Sequence, residues 1–368
     1  MQAGAIHSAD DARRLAKRRL PWMVFDYIDG SAGAETGAAR NRAALDAHTL
    51  RPRILRNVSD RSLAVQLFGA TAQRPFGIAP MGMCNLSAPE ADLMLARLAA
   101  KYQIPHGVST VASTPLEQII ETAEGHAWFQ LYFSGDGTET FKLVERAKAA
   151  GYDVLVLTVD VPEVGRRPRE LRHGFKMPFK IGPTQFVDFA LHPFWSIPQL
   201  IAGKPDMANF QMPGYSFDRT ESRAKADWDT LARLREMWPG KLVVKGVLDV
   251  DDAVALKAAG VDAIQVSSHG ARQLESAPSP FAMLPKIRAA VGPDLPLFFD
   301  SGLRSGEDVL KALDAGADFT FFGRTLQFAM AASGEAGLHR LFDVFSDELS
   351  IAMAQTGLTT PKHTSVVR

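Results

Sequence analysis

Short apolar runs alternate with amphipathic stretches along most of the chain. Phe76–Pro80, Pro105–Val108, Ala127–Leu131, Val154–Thr158, Lys241–Lys245, Ala263–Val266, Leu297–Asp300 and Phe319–Phe322 are strand-length and apolar, eight runs in all. Between them, stretches such as 89–102, 137–150, 227–238, 249–259 and 305–315 carry apolar residues at helical spacing. This alternation predicts a parallel sheet with crossover helices, and eight units favour closure into a (β/α)8 barrel over an open sheet. A segment of helical character over about 8–48 precedes the first run. Gly151, Gly260 and Gly316 each follow a helical stretch just before an apolar run, where glycine accepts the left-handed conformation that ends a helix.

One connection breaks the rhythm. After Val154–Thr158 about 65 residues pass before the next helical stretch, and loops of that length usually serve function. Residues about 161–226 are therefore expected to be an insertion on the face where the strands end. Within it, residues 186–201 concentrate Phe, Trp, Leu and Ile in what ought to be a polar loop. The segment is too short, and too broken by Pro193 and Pro198, to span a bilayer. Its aromatics suit either a membrane interface or a lid packed on the barrel or against another subunit.

Composition adds limits. A chain of 368 residues with 46% hydrophobic and 22% charged residues can bury one large core, so a single domain over 1–368, with the barrel at about 76–335, is expected. Lys plus Arg and Asp plus Glu number 41 each, which leaves no net field to draw in nucleic acid. The lone cysteine, Cys84, excludes an intramolecular disulfide and fits a reducing compartment and a buried small side chain. The N-terminus shows no export signal and no run reaches roughly 18 apolar residues, so cytoplasmic residence is expected, and no metal site is.

In a barrel, residues at the C-terminal ends of the strands point into the site. Here those ends are polar: Gln130 and Tyr132, Thr158 and Asp160, Lys245, Ser267 and His269 with Arg272, Asp300 with Arg304, and Gly323-Arg324. Any one of these reads equally well as a solvated strand end or a structural histidine; their recurrence on strand after strand points to chemistry. The glycines and arginines after the last two runs suit a phosphate, bound by loop amides, a helix N-terminus and a cation. His269 after the sixth run is placed as a general base, with Arg272 three residues on as a carboxylate-binding fork. Arg166 and Arg167 in the insertion offer a second cation for the same anion.

The motifs Phe25-Asp-Tyr-Ile-Asp-Gly30, Trp128-Phe-Gln-Leu-Tyr132, Leu157-Thr-Val-Asp-Val-Pro162, Gly165-Arg-Arg167, Val244-Lys-Gly246, Val266-Ser-Ser-His-Gly-Ala-Arg-Gln-Leu274, Asp300-Ser-Gly302 and Gly323-Arg324 occur in this order. From about residue 8 to 355 the chain resembles the FMN-dependent 2-hydroxy acid dehydrogenase and oxidase family. The resemblance implies bound FMN and oxidation of a lactate- or mandelate-like L-2-hydroxy acid to the 2-oxo acid. His269 would be the base, Asp160 its carboxylate partner and Lys245 the cation beside the flavin; Arg167 and Arg272 would clamp the substrate carboxylate, with Tyr27 and Tyr132 as hydroxyl donors. Pro80, Met81 and Gly82 would face the flavin, Ser109, Gln130, Thr158 and Ser267 its polar edge, and Asp300, Gly302, Arg304, Gly323 and Arg324 the ribityl chain and phosphate. A homotetramer is also implied.

Some positions depart from the family's commoner pattern. Ser268 stands where many relatives have Asn, Glu275 where Asp is frequent, and Met81 where a smaller residue is common. Gly82 stands where oxidases tend to carry Ala and several dehydrogenases Gly. That favours a dehydrogenase passing electrons to a quinone or another membrane acceptor, peripheral on the cytoplasmic face of the inner membrane, over an oxidase that makes hydrogen peroxide. Val111 and Val164 replace bulkier residues of some short-chain oxidases, which leaves room for an aromatic or branched acid. A flavin barrel of another kind, such as an isoprenoid-diphosphate isomerase, would not need the paired arginines, and a non-catalytic barrel would need neither Lys245 nor His269.

Overall fold

The computed structural model describes residues 3–174, 181–211 and 222–361. A hairpin of β1 (Val65–Leu67) and β2 (Ala70–Ala72) precedes eight parallel strands: β3 (Phe76–Met81), β4 (His106–Ser109), β5 (Ala127–Tyr132), β6 (Val154–Thr158), β7 (Lys241–Val247), β8 (Ala263–Val266), β9 (Leu297–Phe299) and β10 (Phe319–Phe322). The eight close into a barrel in sequential order, with β10 pairing β3. This is the expected (β/α)8 barrel, and all eight apolar runs are strands to within a residue or two. The left-handed backbone anticipated at Gly151, Gly260 and Gly316 is present at all three (φ 89°, 75° and 115°).

Two apolar layers explain the closure. Outward strand residues meet the surrounding helices, whereas Trp128, Val154, Val156, Val243, Ala263, Phe298, Phe319 and Phe321 fill the interior. Phe68, at the tip of the β1–β2 hairpin, rests on Trp128 and Phe298 with ring centroids 5.6 and 5.7 Å away. Because Trp128 lies at the start of β5, the hairpin closes the barrel at the end opposite the polar strand tips, so the interior is a packed core rather than a pore.

The N-terminal segment consists of helices Ala9–Arg19, Trp22–Asp29 and Thr36–Ala47. Arg42 fixes the third against the barrel through a two-pronged contact with buried Asp308, its Nη1 and Nη2 lying 2.6 and 2.8 Å from the two carboxylate oxygens. Two parallel charge-assisted bonds set orientation as well as distance, and this brings the Trp22–Asp29 helix, with Tyr27, to the mouth of the barrel.

The insertion differs from the expected loop. Residues 186–201 fall in two helices, Pro183–Leu191 and Pro193–Ala202. Pro193 opens the second, where its missing N–H costs nothing, and Pro198 lies inside it. One face is fastened down: Trp195 Nε1 donates to Leu86 O at 2.8 Å and Asp188 Oδ2 accepts from Trp22 N at 2.8 Å. Residues 175–180 and 212–221 of the insertion lie outside the described residues.

Phe298 is fully buried and touches the ring of Phe68 as well as those of Trp128, Phe319 and Phe321. Phe298→Ala is expected to lower the free energy of unfolding by about 3–5 kcal/mol, read from urea denaturation, while leaving the polar residues at the distant mouth of the barrel in place.

Candidate active site

Strand register assembles the site. Tyr132 pairs with Thr158, Thr158 with Lys245, and Lys245 with Gln265, so the tips of β5 to β8 form one polar row at the mouth. Lys245 is buried, its Nζ 2.8 Å from Ser267 Oγ and 3.2 Å from Asp300 Oδ2. Burial alone would favour the neutral amine, but Asp300 and Asp160 hold its pKa above the ordinary lysine value. Asp300 is in turn fixed by Gln265 Nε2 at 2.7 Å and Ser301 Oγ at 2.7 Å.

His269 lies in a strained turn beyond β8. His269, Gly270 and Ala271 all have positive φ (55°, 64° and 61°), costly for the two residues with side chains. Hydrogen bonds hold the turn: His269 N donates to Ser267 Oγ at 3.0 Å, and Ser268 N and Gly270 N to Ser301 Oγ at 3.2 and 3.0 Å. Ser268 Oγ accepts from Asn41 Nδ2 at 2.8 Å, and Glu275 Oε1 from Ala34 N at 2.7 Å, so two of the family departures tie this turn to the N-terminal segment.

The imidazole is oriented from both sides. Nδ1 is 3.0 Å from Asp160 Oδ1 and Nε2 is 3.3 Å from Tyr132 Oη, so an Nδ1–H donated to the carboxylate leaves Nε2 to accept a proton. Burial pulls the His269 pKa down; Asp160 opposes this, Lys245 reinforces it, and the net value lies below the ordinary histidine value. Burial works against ionised Asp160, yet His269 and Lys245 keep it below the usual carboxylate range. Asp160 can stand there because residue 246 is glycine: a Cβ at Gly246 would lie 2.5 Å from Asp160 Cγ. Burial raises the pKa of both Tyr27 and Tyr132, which keeps them hydroxyl donors.

Arg167 and Arg272 come together, through a residue that motif reading passed over. Glu170 is 5% exposed, and its Oε1 lies 2.8 Å from Arg167 Nε and 2.9 Å from Arg272 Nη2. Arg272 Nη1 also donates to the carbonyls of Tyr27 and Gly30, each at 2.8 Å. Glu170 is three residues beyond Arg167 in the short helix Pro168–Arg172, and that i,i+3 spacing was the available signal. The adjoining Arg169 fastens the helix to the N-terminal segment, with Nε 2.7 Å from Asp26 Oδ1 and Nη1 3.0 Å from Glu35 Oε2.

One cavity of about 1200 Å³ joins these groups; Tyr27, Pro80, Met81, Gly82, Tyr132, Arg167, Lys245, His269, Arg272, Asp300, Gly302, Arg304, Gly323 and Arg324 all line it. Asp160, Ser109, Gln130, Thr158 and Ser267 are buried or half-buried behind this lining. Gln130 spends its amide on Ser109 Oγ at 3.2 Å and Thr158 Oγ1 at 2.9 Å. At the far end, the helix Arg324–Thr356 begins at Gly323 without a side-chain cap, and the buried Thr325 Oγ1 beside it has no hydrogen-bond partner. Arg324 is half-buried there, its pKa pulled down to about 10 by desolvation and by Arg272. An uncapped helix start, an orphaned hydroxyl and a half-buried guanidinium at one end of the cavity fit a phosphate group.

The family described as FMN-dependent dehydrogenase matches residues 16–366. The chain belongs to that family. Its relatives include the L-lactate dehydrogenase of Pseudomonas syringae pv. syringae (strain B728a), 37% identical over 96% of each chain. Among solved structures, a monotopic membrane (S)-mandelate dehydrogenase superposes with a TM-score of 0.92 at 35% identity, covering 97% of this chain and 96% of the other. A mandelate oxidase does so with 0.83 at 34% identity over 97% and 96%. FMN is the family's cofactor, and the cavity's donor set, a buried lysine at one end and a phosphate-type site at the other, fits it.

Asp160→Asn removes the charge that raises the His269 pKa. The acid limb of kcat/KM is therefore expected to move to lower pH in that variant, with a reduced plateau, in pH profiles of flavin reduction.

Proposed function

We propose that this FMN-dependent dehydrogenase oxidises a lactate- or mandelate-like L-2-hydroxy acid to the 2-oxo acid. The observation that carries the reading is the convergence, at one cavity mouth, of the His269–Asp160 pair with the paired guanidinium groups of Arg167 and Arg272. Arg272 and Arg167 bind the substrate carboxylate, and Tyr27 and Tyr132 donate to its oxygens. His269 Nε2 takes a proton from the substrate, and Asp160 stabilises the imidazolium through Nδ1. FMN, when bound, supplies the two-electron acceptor. It would be held by Pro80, Met81 and Gly82 along the ring and by Lys245 with Ser109, Gln130, Thr158 and Ser267 at the polar edge. Asp300, Gly302, Arg304, Gly323, Arg324 and Thr325 would hold the ribityl phosphate. Fixed Lys245 charge at the place where negative charge develops is the kind of preorganised electrostatics that lowers a barrier most.

His269→Gln is expected to retain FMN, because it leaves the phosphate end untouched, while anaerobic flavin bleaching by the acid slows by about 10²–10⁴-fold or more. Bleaching at near the parent rate would remove His269 as the base.

Two features support a dehydrogenase at a membrane rather than an oxidase. A Cβ on Gly82 would lie 2.5 Å from Val111 Cγ2, so this wall is built around glycine. The insertion helices, fastened inward by Trp195, turn Phe194, Leu200 and Ile201 outward at 78%, 84% and 82% exposure, with Phe186, Val187, Leu191 and Ile197 also exposed. Exposed apolar side chains gathered on two neighbouring helices suit an interaction surface, and amphipathic helices suit the interfacial layer of a bilayer. Among the described residues no helix is long and apolar enough to cross a membrane. The proposed enzyme rests peripherally on the cytoplasmic face and passes electrons to a quinone or another membrane acceptor. Replacing Phe194, Leu200 and Ile201 with Gln is expected to abolish partition into lipid vesicles and slow quinone-analogue reduction while flavin bleaching by substrate is kept; unchanged partition, or faster turnover with oxygen, would overturn the membrane reading.

A further inference from the structure

The cavity contains a cation that the roles above leave unused. Arg223 lies in the returning limb of the insertion, its backbone N–H donating to Pro162 O at 3.1 Å, and the preceding Ser222 accepts from Gly135 N at 3.2 Å. The guanidinium carbon sits 4.4 Å from the centroid of the Tyr132 ring, and the residue lines the same cavity as Arg167, Val161, Val164 and His269.

Its electrostatic situation is unlike that of its neighbours. Arg167 and Arg272 share Glu170, Lys245 faces Asp300, Arg169 faces Asp26, and Arg42 faces Asp308. Among the described residues Arg223 has no carboxylate within ion-pair distance and its side chain makes no hydrogen bond. Glu163, the acidic group that acts on it, accepts instead from Ser222 Oγ at 2.6 Å. Stacking on Tyr132 satisfies the flat face of the guanidinium and leaves the N–H groups along its edge unspent. Burial lowers its pKa, with Tyr132 and Glu163 opposing and Arg167 reinforcing the shift, so a partly desolvated guanidinium stands near another cation with no carboxylate in direct contact among the described residues. Charges so placed are ordinarily paired. The flavin phosphate does not fill this role: that end of the cavity has Arg324 and Arg304, whereas the charged neighbours of Arg223 are Arg167 and Glu163.

We propose that Arg223 is a specificity-determining residue that binds a second carboxylate, at the far end of the substrate's side chain, and so admits 2-hydroxy dicarboxylic acids to the site. The inference rests on the reading of the cavity as a 2-hydroxy acid site. With the first carboxylate on Arg167 and Arg272 and C2 at His269, a side chain running past Val161 and Val164 ends in anion against the unspent edge of Arg223. Planar fork meets planar carboxylate there, which lysine does not reproduce.

The test compares L-malate and L-2-hydroxyglutarate with L-lactate and L-2-hydroxybutyrate as reductants of the FMN-loaded protein under anaerobic conditions, for the parent, Arg223→Gln and Arg223→Lys. The quantity read is the ratio of kcat/KM for diacid over monoacid, because any effect on the shared Tyr132 and His269 cancels in it. In Arg223→Gln the ratio is expected to fall by about ten- to a hundredfold, the worth of a charge-assisted contact, and in Arg223→Lys by less. Calorimetric affinities for 2-oxoglutarate against 2-oxobutyrate should shift in parallel. A ratio unchanged in Arg223→Gln, with monoacids still bleaching the flavin, overturns this proposal alone. If no 2-hydroxy acid, mono- or dicarboxylic, bleaches the parent flavin, the underlying reading fails with it.

Discussion

The arrangement of the mouth depends on a buried positive charge. Lys245 is 3% exposed, a position where an ammonium group is tolerated only if carboxylates surround it. Asp300 supplies direct contact from the tip of β9, and Asp160, beyond β6, adds attraction from the other side. The same Asp160 pairs with His269, so lysine, two carboxylates and imidazole stand as one contiguous set of facing groups. Gly246, the serines at 267 and 301 and the left-handed turn at 269–271 follow as steric and hydrogen-bonding conditions for that set to fit.

The barrel supplies only half of the cavity. Tyr27 comes from the N-terminal helix, Arg167 and Glu170 from the root of the insertion, and Arg223 from its returning limb. These pieces are joined by ion pairs rather than by sheet hydrogen bonds: Arg42 with Asp308, Arg169 with Asp26 and Asp29, and Arg272 with Glu170. His269 and Asp160 stand just beyond strand ends of the barrel, whereas Tyr27, Arg167 and Arg223 reach the cavity from segments laid over its mouth. The insertion has a further face, since its helices hold Trp195 inward and present aliphatic and aromatic side chains outward.

Much of this was legible in the chain itself. Eight apolar runs separated by helical spacing leave few alternatives to a closed parallel barrel, because strand direction and crossover handedness then force the polar tips to one end. Gln130, Tyr132, Thr158, Asp160, Lys245, His269, Arg272 and Asp300 could be read as neighbours for that reason alone, with the insertion offering Arg167, and the family motifs added their roles. Residues 186–201 are helical rather than a loop: a long connection does not exclude helices, and Pro193 occupies the first turn of one, where proline is at home.

What only the tertiary structure decided are contacts between segments distant in sequence. The bond from Glu170 to the distant Arg272, Ser268 against Asn41, Glu275 against the start of the Thr36–Ala47 helix, the orphaned Thr325 hydroxyl and Arg223 over Tyr132 carry no periodic or motif signal. Local pattern records which face of a strand or helix is apolar. It does not record the partner of a charge, because that depends on how the insertion and the N-terminal helices come to rest on the barrel, and on which polar groups are thereby removed from water. The sequence by itself determined the barrel, the end at which the chemistry lies and the residue types available there; burial and long-range pairing decided which of those charges are satisfied within the protein and which are left facing the cavity.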